Sequence, residues 1–424
     1  MLAQASKTLP LSETCAPAAP AELAEQVKTC FRAGTPIYPL GGGTALHCAP
    51  IGKRSGCGIA TTALNRLVDY PARDLTITVE AGMTVGALQK TLAAENQFLP
   101  LDVPQADDAT IGGIVATNVA GPRRYGYGAI RDYVIGISAV DGRGTAFSAG
   151  GRVVKNVAGY DFCKLLVGSL GTLAVVTQVT LKVKPRPAAT AYLVHGLASL
   201  EQAESLAVAM AASRTTPVSV GLLSGAAWAD VPEIALPGAP PAAYFVVGLE
   251  GTGAEVEWML TALKNEWQAI GFATPRTVSE PAECASLLHR LTEFGCEADA
   301  SAKQKSPIVL KLTVRPSSVV TVVAEVRRLF PAASVLAQAG GGTIVARLDG
   351  ELPAHELASP LLRTLHPLAT RLGGQCTVWN SPFAGELTRS VCWGPARESD
   401  AMLGRVKQTF DPKGLLNPDR FIFG

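Results

Sequence analysis

Three consecutive glycines at 41–43 end a short apolar run in the stretch YPLGGGTALH (38–47). Residues without Cβ atoms accept positive φ and let other atoms come close to the backbone. Either the chain turns there where side chains cannot go, or something approaches that backbone closely. The residues before the triplet fix its place. AELAEQVKTCFRAG after Pro20 carries Leu23, Val27, Cys30 and Phe31 at helical spacing, with Gly34 suited to the C-terminal cap. TPIYPL then reads as a short strand, so the glycines sit at a strand's end.

Two phosphate-binding signatures fail at this turn. No Lys-Ser or Lys-Thr follows a glycine at P-loop spacing, and a GxGxxG starting at Gly41 meets Leu46 where it needs glycine. What remains is a run of backbone N–H groups free to converge on one point, a concavity that suits a pyrophosphate. Thr44 adds a hydroxyl. A plain hairpin turn is the alternative for this stretch alone. Two later turns repeat the chemistry, TIGGIVATN (110–118) and GSLGTLAVVT (168–177), with Thr110, Ser169 and Thr172 as hydroxyl neighbours. Three separated glycine turns suit one extended ligand touched at several points, and a dinucleotide is such a ligand.

The chain of 424 residues has 37 basic and 35 acidic side chains and no basic tract, which gives no footprint for nucleic acid or lipid. Its length predicts two to three domains. Mean hydropathy is positive. The longest apolar run, LLVGSLGTLAVVTQVTL (165–181), is shorter than a spanning helix and carries Gly, Ser, Thr and Gln, so it reads as a buried turn and strand. The N-terminus lacks the basic and apolar segments of a secretory signal. Nine scattered cysteines without a CxxC pair disfavour a disulfide framework, a zinc site or an iron–sulfur cluster held by this chain, and read as reduced, mostly buried thiols.

Residues 1–20 are rich in Ala and Pro and read as loosely ordered. DLTITVEAG (74–82) is a strand, TVGALQKTLAAENQ a helix, and RDYVIGISAVDGRGTAF two strands around an Asp-Gly turn. LAVVTQVTLKVKP (173–185) is a β-branched strand. The linker PRPAAT begins a change of character. From Ala191 the order is β-α-β-β-α, and a similar order returns from SPIVLKLTV onward, which predicts an antiparallel sheet with helices on one face. AMLGRVKQTFDPKGLLNPDRFIFG is a helix ending at Asp411-Pro412, followed by an irregular segment.

PLGGGT, ATIGGIVATNVAGPRRYGYGAIRDYVIG, GRVVKNVAGYDFCKLLVGSLGTLAVVTQVTLKVKP and FDPKGLLNPDR resemble the vanillyl-alcohol-oxidase (PCMH) type of FAD-binding flavoproteins. Within that family they are similar to the smaller FAD-binding subunit of glycolate oxidases. The resemblance is dense over 20–187 and good over the last 25 residues; the middle matches by pattern only. It implies an α+β fold: a two-subdomain PCMH-type FAD-binding domain plus a ferredoxin-like α+β cap domain with an antiparallel sheet. The implied divisions are 1–20 for the N-terminus, 21–187 for the FAD-binding domain, 188–398 for the cap or substrate-type domain, and 399–424 for a segment returning to the FAD domain. Gly41, Gly42, Gly43 and Thr44 would wrap the FAD pyrophosphate. Thr110, Gly112, Gly113, Asn118 and Gly121 would line the diphosphate, ribose and flavin. Lys155, Asn156, Gly159 and Tyr160 would lie near the isoalloxazine, and Ser169, Gly171, Thr172 and Val176 at the adenine end. Some relatives tether FAD through a histidine at the glycine loop; here His47 comes three residues after Thr44, so the expected cofactor is non-covalent FAD.

The resemblance also marks a departure. Relatives that oxidise 2-hydroxy acids carry an HxGDGNxH stretch in the C-terminal domain. Here the corresponding region reads GGQCTVWNSPFAGEL, and the five histidines (47, 195, 289, 355, 366) form no HxH or HxxxH. Removing hydride from a 2-hydroxy acid needs a base for the hydroxyl proton and a cation for the carboxylate. Arg123 and Arg124 are candidates for the cation, or belong to a cationic edge. The resemblance therefore implies a flavin-bearing subunit of a glycolate oxidase complex. Its partners would be a larger homologous FAD-binding subunit, an iron–sulfur subunit and, at the level of the complex, a small 2-hydroxy acid. The expected location is cytoplasmic, peripheral to the inner face of the membrane only through partners. A non-catalytic scaffold and a self-sufficient D-lactate-type dehydrogenase are the alternatives.

Overall fold

The computed structural model describes residues 5, 8–48, 50, 52–151, 160–296, 307–349, 352–383 and 386–421. The chain divides into two compact units. The first comprises 1–120, 129–186 and 396–424; the second comprises 121–128 and 187–395.

In the first unit, β1 (Leu11–Cys15), β2 (Ile37–Leu40) and β3 (Gly56–Ala60) form a parallel sheet in the order β1-β3-β2. The helix Pro20–Ala33 buries Leu23, Val27 and Cys30 with Ile37, Cys57 and Ile59, and ends at Gly34 in the left-handed region with φ +72°. Each such Leu, Val or Ile contributes roughly 1.5–3 kcal/mol by leaving water. Composition predicts loose order for 1–20, yet Leu11–Cys15 pairs with β3. Backbone pairing with a neighbouring strand orders residues 11–15 despite the Ala and Pro around them.

Next come β4 (Leu67–Asp69), β5 (Thr76–Glu80), β6 (Gln97–Phe98), β7 (Val134–Asp141), β8 (Ala146–Gly150), β9 (Ala174–Lys182) and β10 (Lys184–Pro185). Five of them form an antiparallel sheet in the order β4-β5-β9-β7-β8, while β6 pairs with β10. The apolar run 165–181 begins in the last residues of the helix Phe162–Leu166, turns, and continues as β9. The helix Glu398–Phe410 packs Phe410 against Phe147 and Phe162, each 5.8 Å away between ring centres. At the end of β5, Glu80 is buried and accepts from Arg66 three times, from its N at 2.9 Å, Nε at 3.1 Å and Nη2 at 2.7 Å. Desolvation alone would raise the Glu80 carboxyl, but the hydrogen bonds from Arg66 overcome it and hold it below its ordinary value. A depressed folded value contributes stability above the unfolded pKa, about 4.3, that is lost as pH falls through the folded value. Glu80→Gln should therefore be less stable than wild type at pH 7, and the gap should close below about pH 4. Urea unfolding at both pH values checks this.

The second unit holds β11 (Ala189–Leu197), β12 (Ser219–Ser224), β13 (Ala243–Gly251), β14 (Arg276–Val278), β15 (Ile308–Thr313), β16 (Ser334–Gln338), β17 (Thr343–Leu348) and β18 (Gln375–Asn380). They form one antiparallel sheet in the order β14-β11-β13-β12-β16-β17-β15-β18. Each half is a β-α-β-β-α-β unit with its first and third strands central, the split arrangement of ferredoxin-like folds. The halves join through their second strands, β12 and β16. Helices Leu200–Ala212, Gly253–Ala269 and Val319–Leu329 bury one face with Leu193, Phe245 and Val335. The helix Pro281–Glu293 covers the opposite face, over Tyr192, Val194, Tyr244 and Val246. The sequence pattern predicts helices on one face; β11 and β13 are apolar on both sides, so both faces are covered. None of the nine cysteines is joined in a disulfide, and Cys15 and Cys296 alone are partly exposed. No helix of the described residues is long and apolar enough to cross a membrane.

Candidate functional site

The glycine turn follows directly from β2. A Cβ on Gly42 would lie 1.7 Å from the Asp108 carbonyl oxygen, and one on Gly41 would lie 2.3 Å from Thr110 Oγ1. These two glycines are therefore required by the chain's own approach at 108–110, which brings the first two turns face to face. Gly43 takes φ +85°. Among the described residues, no N–H of Gly41, Gly42, Gly43 or Thr44 has a hydrogen-bond partner, and all four residues reach the surface. Four consecutive N–H donors of this turn are thus unpaired among the described residues and open to an acceptor from outside the chain.

The second turn differs from its expected form. TIGGIVAT is a helix, Ile111–Thr117, capped by Thr110, whose Oγ1 accepts from Gly113 N at 3.3 Å. Ile111 N donates to Met83 O and Gly112 N to Ala81 O, so these donors are occupied. Gly112 is needed because a Cβ there would meet that of Ala81 at 2.9 Å. Two glycines in a helix read as a turn, but close packing on Ala81 outweighs their low propensity. The helix ends at Asn118, left-handed at φ 51°. Its Oδ1 is buried and has no hydrogen-bond partner among the described residues.

The third turn closes the end of that helix. Gly168 N donates to Val115 O at 2.9 Å and Leu170 N to Ala116 O at 2.8 Å, satisfying carbonyls of the last helical turn. A Cβ on Gly168 would touch that of Asn118 at 3.4 Å. Ser169 and Thr172 are buried, and the Thr172 hydroxyl donates to Ser169 O at 2.7 Å. In this turn the Gly171 N–H has no partner among the described residues.

The C-terminal segment binds both outer turns. Asn417 Nδ2 donates to Leu170 O, and Arg420 Nη2 to Ala45 O and Leu46 O, all at 2.7 Å. Lys407 Nζ donates to Thr172 O at 2.7 Å, to Leu416 O at 3.0 Å and to Asp411 Oδ2 at 2.6 Å. The return of this segment is legible in FDPKGLLNPDR. The individual roles of Lys407, Asn417 and Arg420 are not, because a basic or amide side chain near a helix end ordinarily faces water.

The other expected residues lie elsewhere. Gly121 falls in the second unit, where its carbonyl accepts from Gln338 Nε2 at 2.9 Å. Lys155, Asn156 and Gly159 lie outside the described residues. Tyr160 is 88% exposed. The Val176 side chain is in the core of the antiparallel sheet. Arg123 is not free to take a substrate carboxylate: its Nη1 meets Glu250 Oε1 at 2.8 Å, and the Tyr127 hydroxyl donates to Glu250 Oε2 at 2.6 Å. His47 sits half-buried in the turn after Thr44. His366 is buried with Nε2 3.0 Å from Val391 O, and burial pushes His195 below its ordinary value beside Phe272. Among the described residues, no cluster of three His, Cys, Asp or Glu side chains suits a metal ion.

Comparison with known proteins agrees with this architecture. The FAD binding domain family matches residues 13–150, and the FAD linked oxidases, C-terminal domain, matches 186–377 and 394–421. The chain is 26% identical to glycolate oxidase subunit GlcD of Bacillus subtilis (strain 168) over 94% of its own length and 86% of that protein's. It is 37% identical to glycolate oxidase subunit GlcE of Escherichia coli (strain K12), over 43% of this chain and 52% of that one. The fold of p-cresol methylhydroxylase with substrate bound superposes with a TM-score of 0.75 at 14% identity, covering 100% of this chain and 93% of that one. With the C-terminal family alone matching more than half of its length, the chain belongs to the FAD-linked oxidases, oxidoreductases of the PCMH type whose cofactor is FAD.

Proposed function

We propose that this chain binds FAD non-covalently at its three turns, as the flavin-bearing subunit of a glycolate oxidase-type complex that converts glycolate to glyoxylate. The observation that carries the flavin reading is the row of four unpartnered N–H groups at 41–44 among the described residues. The buried, unpartnered Oδ1 of Asn118 is a second group that fits a ligand rather than the chain itself. Gly41, Gly42, Gly43 and Thr44 would hold the pyrophosphate. Thr110, Gly112, Gly113 and Asn118 would line the middle of the nucleotide; Ser169, Gly171, Thr172 and Val176 its adenine end; Lys155, Asn156, Gly159 and Tyr160 the ring. At Thr110, Gly112 and Val176 the role is contact and shape, since their N–H groups or side chains are engaged in the fold.

Similarity to glycolate oxidase subunits, to a D-2-hydroxyglutarate dehydrogenase and to a D-lactate dehydrogenase supports a 2-hydroxy acid as substrate. Bound FAD supplies a two-electron acceptor for the hydride that leaves the α-carbon. The chain's own groups at the turns are N–H donors and hydroxyls, which orient and polarise but do not take up the hydroxyl proton. The first unit contains a single histidine, His47, in the turn after Thr44. A proton acceptor is therefore assigned to a larger homologous FAD-binding subunit, with an iron–sulfur subunit receiving the electrons. A cytoplasmic place, at the membrane's inner face only through those partners, follows from the same reading.

The test is co-purification of the tagged chain, with flavin and iron assays. About one flavin per chain, released into the supernatant by acid precipitation, is expected. Glycolate should bleach the flavin of the complex and leave the isolated chain's flavin oxidised. A colourless chain that still assembles would make it a scaffold. Turnover of glycolate or D-lactate by the isolated chain would make it a self-sufficient dehydrogenase.

A further inference from the structure

Arg420 is 7% exposed and forms no ion pair among the described residues. Arginine is almost never fully buried unless paired, because stripping its water costs several kcal/mol. Of its five N–H groups, only those on Nη2 have partners among the described residues, the carbonyls of Ala45 and Leu46. Two neutral carbonyls satisfy hydrogen bonds but leave the positive charge uncompensated. The groups whose fields reach it are Cys48 and Tyr38. Burial pushes the Tyr38 hydroxyl up to about 12, so it is neutral at physiological pH, and it donates to Arg54 O at 2.6 Å. No carboxylate among the described residues answers the charge.

The two carbonyls that Arg420 holds belong to the residues directly after Thr44. The buried cation is thus fixed to the same turn whose four N–H groups have no partner among the described residues. Two independent features, an unanswered charge and unanswered donors, meet on one short stretch of backbone. Both are resolved by one group, an anion with several acceptor oxygens.

We infer that Arg420 is a positioning residue of the nucleotide site: it clamps the carbonyls of 45 and 46, so that the N–H groups of 41–44 stay presented together, and its charge is the counter-charge for a diphosphate seated there. This rests on the reading of 41–44 as the pyrophosphate turn. The tail of the chain, whose Asn417 lies 247 residues beyond Leu170 of the third turn, is then part of the nucleotide grip.

The experiment compares the full-length chain with R420M and R420K, each freed of flavin and titrated with FAD and with riboflavin, which carries the same ring and no phosphate. Wild type should bind FAD more tightly than riboflavin. R420M should lose about tenfold of that preference, about 1.4 kcal/mol, with riboflavin affinity unchanged. R420K keeps the charge without the planar fork and should fall between the two. If R420M does not fold, R420K decides alone, and a loss of at least about threefold in the preference is required. A preference unchanged in the variants, or FAD and riboflavin weakened in parallel, overturns the role of Arg420 while the turn stands. A wild-type chain with no preference for FAD over riboflavin overturns the pyrophosphate turn itself.

Discussion

Replacing Gly42 by alanine should remove flavin and lower thermal stability together. The added methyl would sit 1.7 Å from the Asp108 carbonyl oxygen and 2.6 Å from its carbon, and both are backbone atoms that no rotamer change can move aside. The turn at 41–44 and the segment at 108–110 must then part. Overpacking of this kind costs about 1–3 kcal/mol or more, and here it also displaces the donors from one another. A branched Val would show the same effect, so loss of flavin from Gly42→Val reports the chain's own packing as well as the ligand's approach. Gly41→Ala is a milder control, because its methyl meets the Thr110 hydroxyl, which can rotate at the expense of the bond to Gly113 N. Flavin-to-protein ratio and thermal unfolding, each with and without added FAD, read the result. A Gly42→Ala chain with wild-type melting temperature and full flavin would refute the face-to-face placement of the two turns.

Asp411→Ala is expected to cost about 3–5 kcal/mol, because it strands a buried ammonium. The Asp411 side chain is fully buried and accepts from Leu415 N at 3.0 Å, Leu416 N at 2.7 Å and Lys407 Nζ at 2.6 Å. Burial pushes the Lys407 ammonium below its ordinary value, while Asp411 pulls it back up. Without the carboxylate, Lys407 keeps only the carbonyls of Thr172 and Leu416. Lys407→Met should cost less, about 1–3 kcal/mol, since the carboxylate retains its two backbone donors. The order of the two variants in urea unfolding is the check. Equal losses would mean that the pair acts through packing alone. Because Lys407 ties the C-terminal helix to the third turn, both variants should also weaken FAD binding.

Much of the architecture is legible in local chemistry. Leu23, Val27 and Cys30 at helical spacing with Gly34 behind them give the helix Pro20–Ala33 and its left-handed cap. The alternation of TITVE and the β-branched run of AVVTQVTLK give β5 and β9, and the Asp-Gly turn gives the hairpin of β7 and β8, where Asp141 Oδ1 accepts from Arg143 N and Thr145 N. The repeated order in the second half gives two ferredoxin-like units. The glycines announce where backbone must be bare.

Other features depend on partners far along the chain. That 11–15 is a strand depends on β3, and that TIGG is helical depends on Ala81 and Met83 accepting its first N–H groups. Gly41 and Gly42 are bare for Thr110 and Asp108, and the donors beside them are unpaired because no acceptor among the described residues reaches them. Arg420 and Asn417, hundreds of residues away, reveal their roles only once the tail lies against the first and third turns. The physical reason is range. Propensity, capping and periodicity act over a few residues and are written in the order of the sequence. Desolvation, orphaned donors and unanswered charge are properties of what surrounds an atom in space, and long-range packing alone sets them.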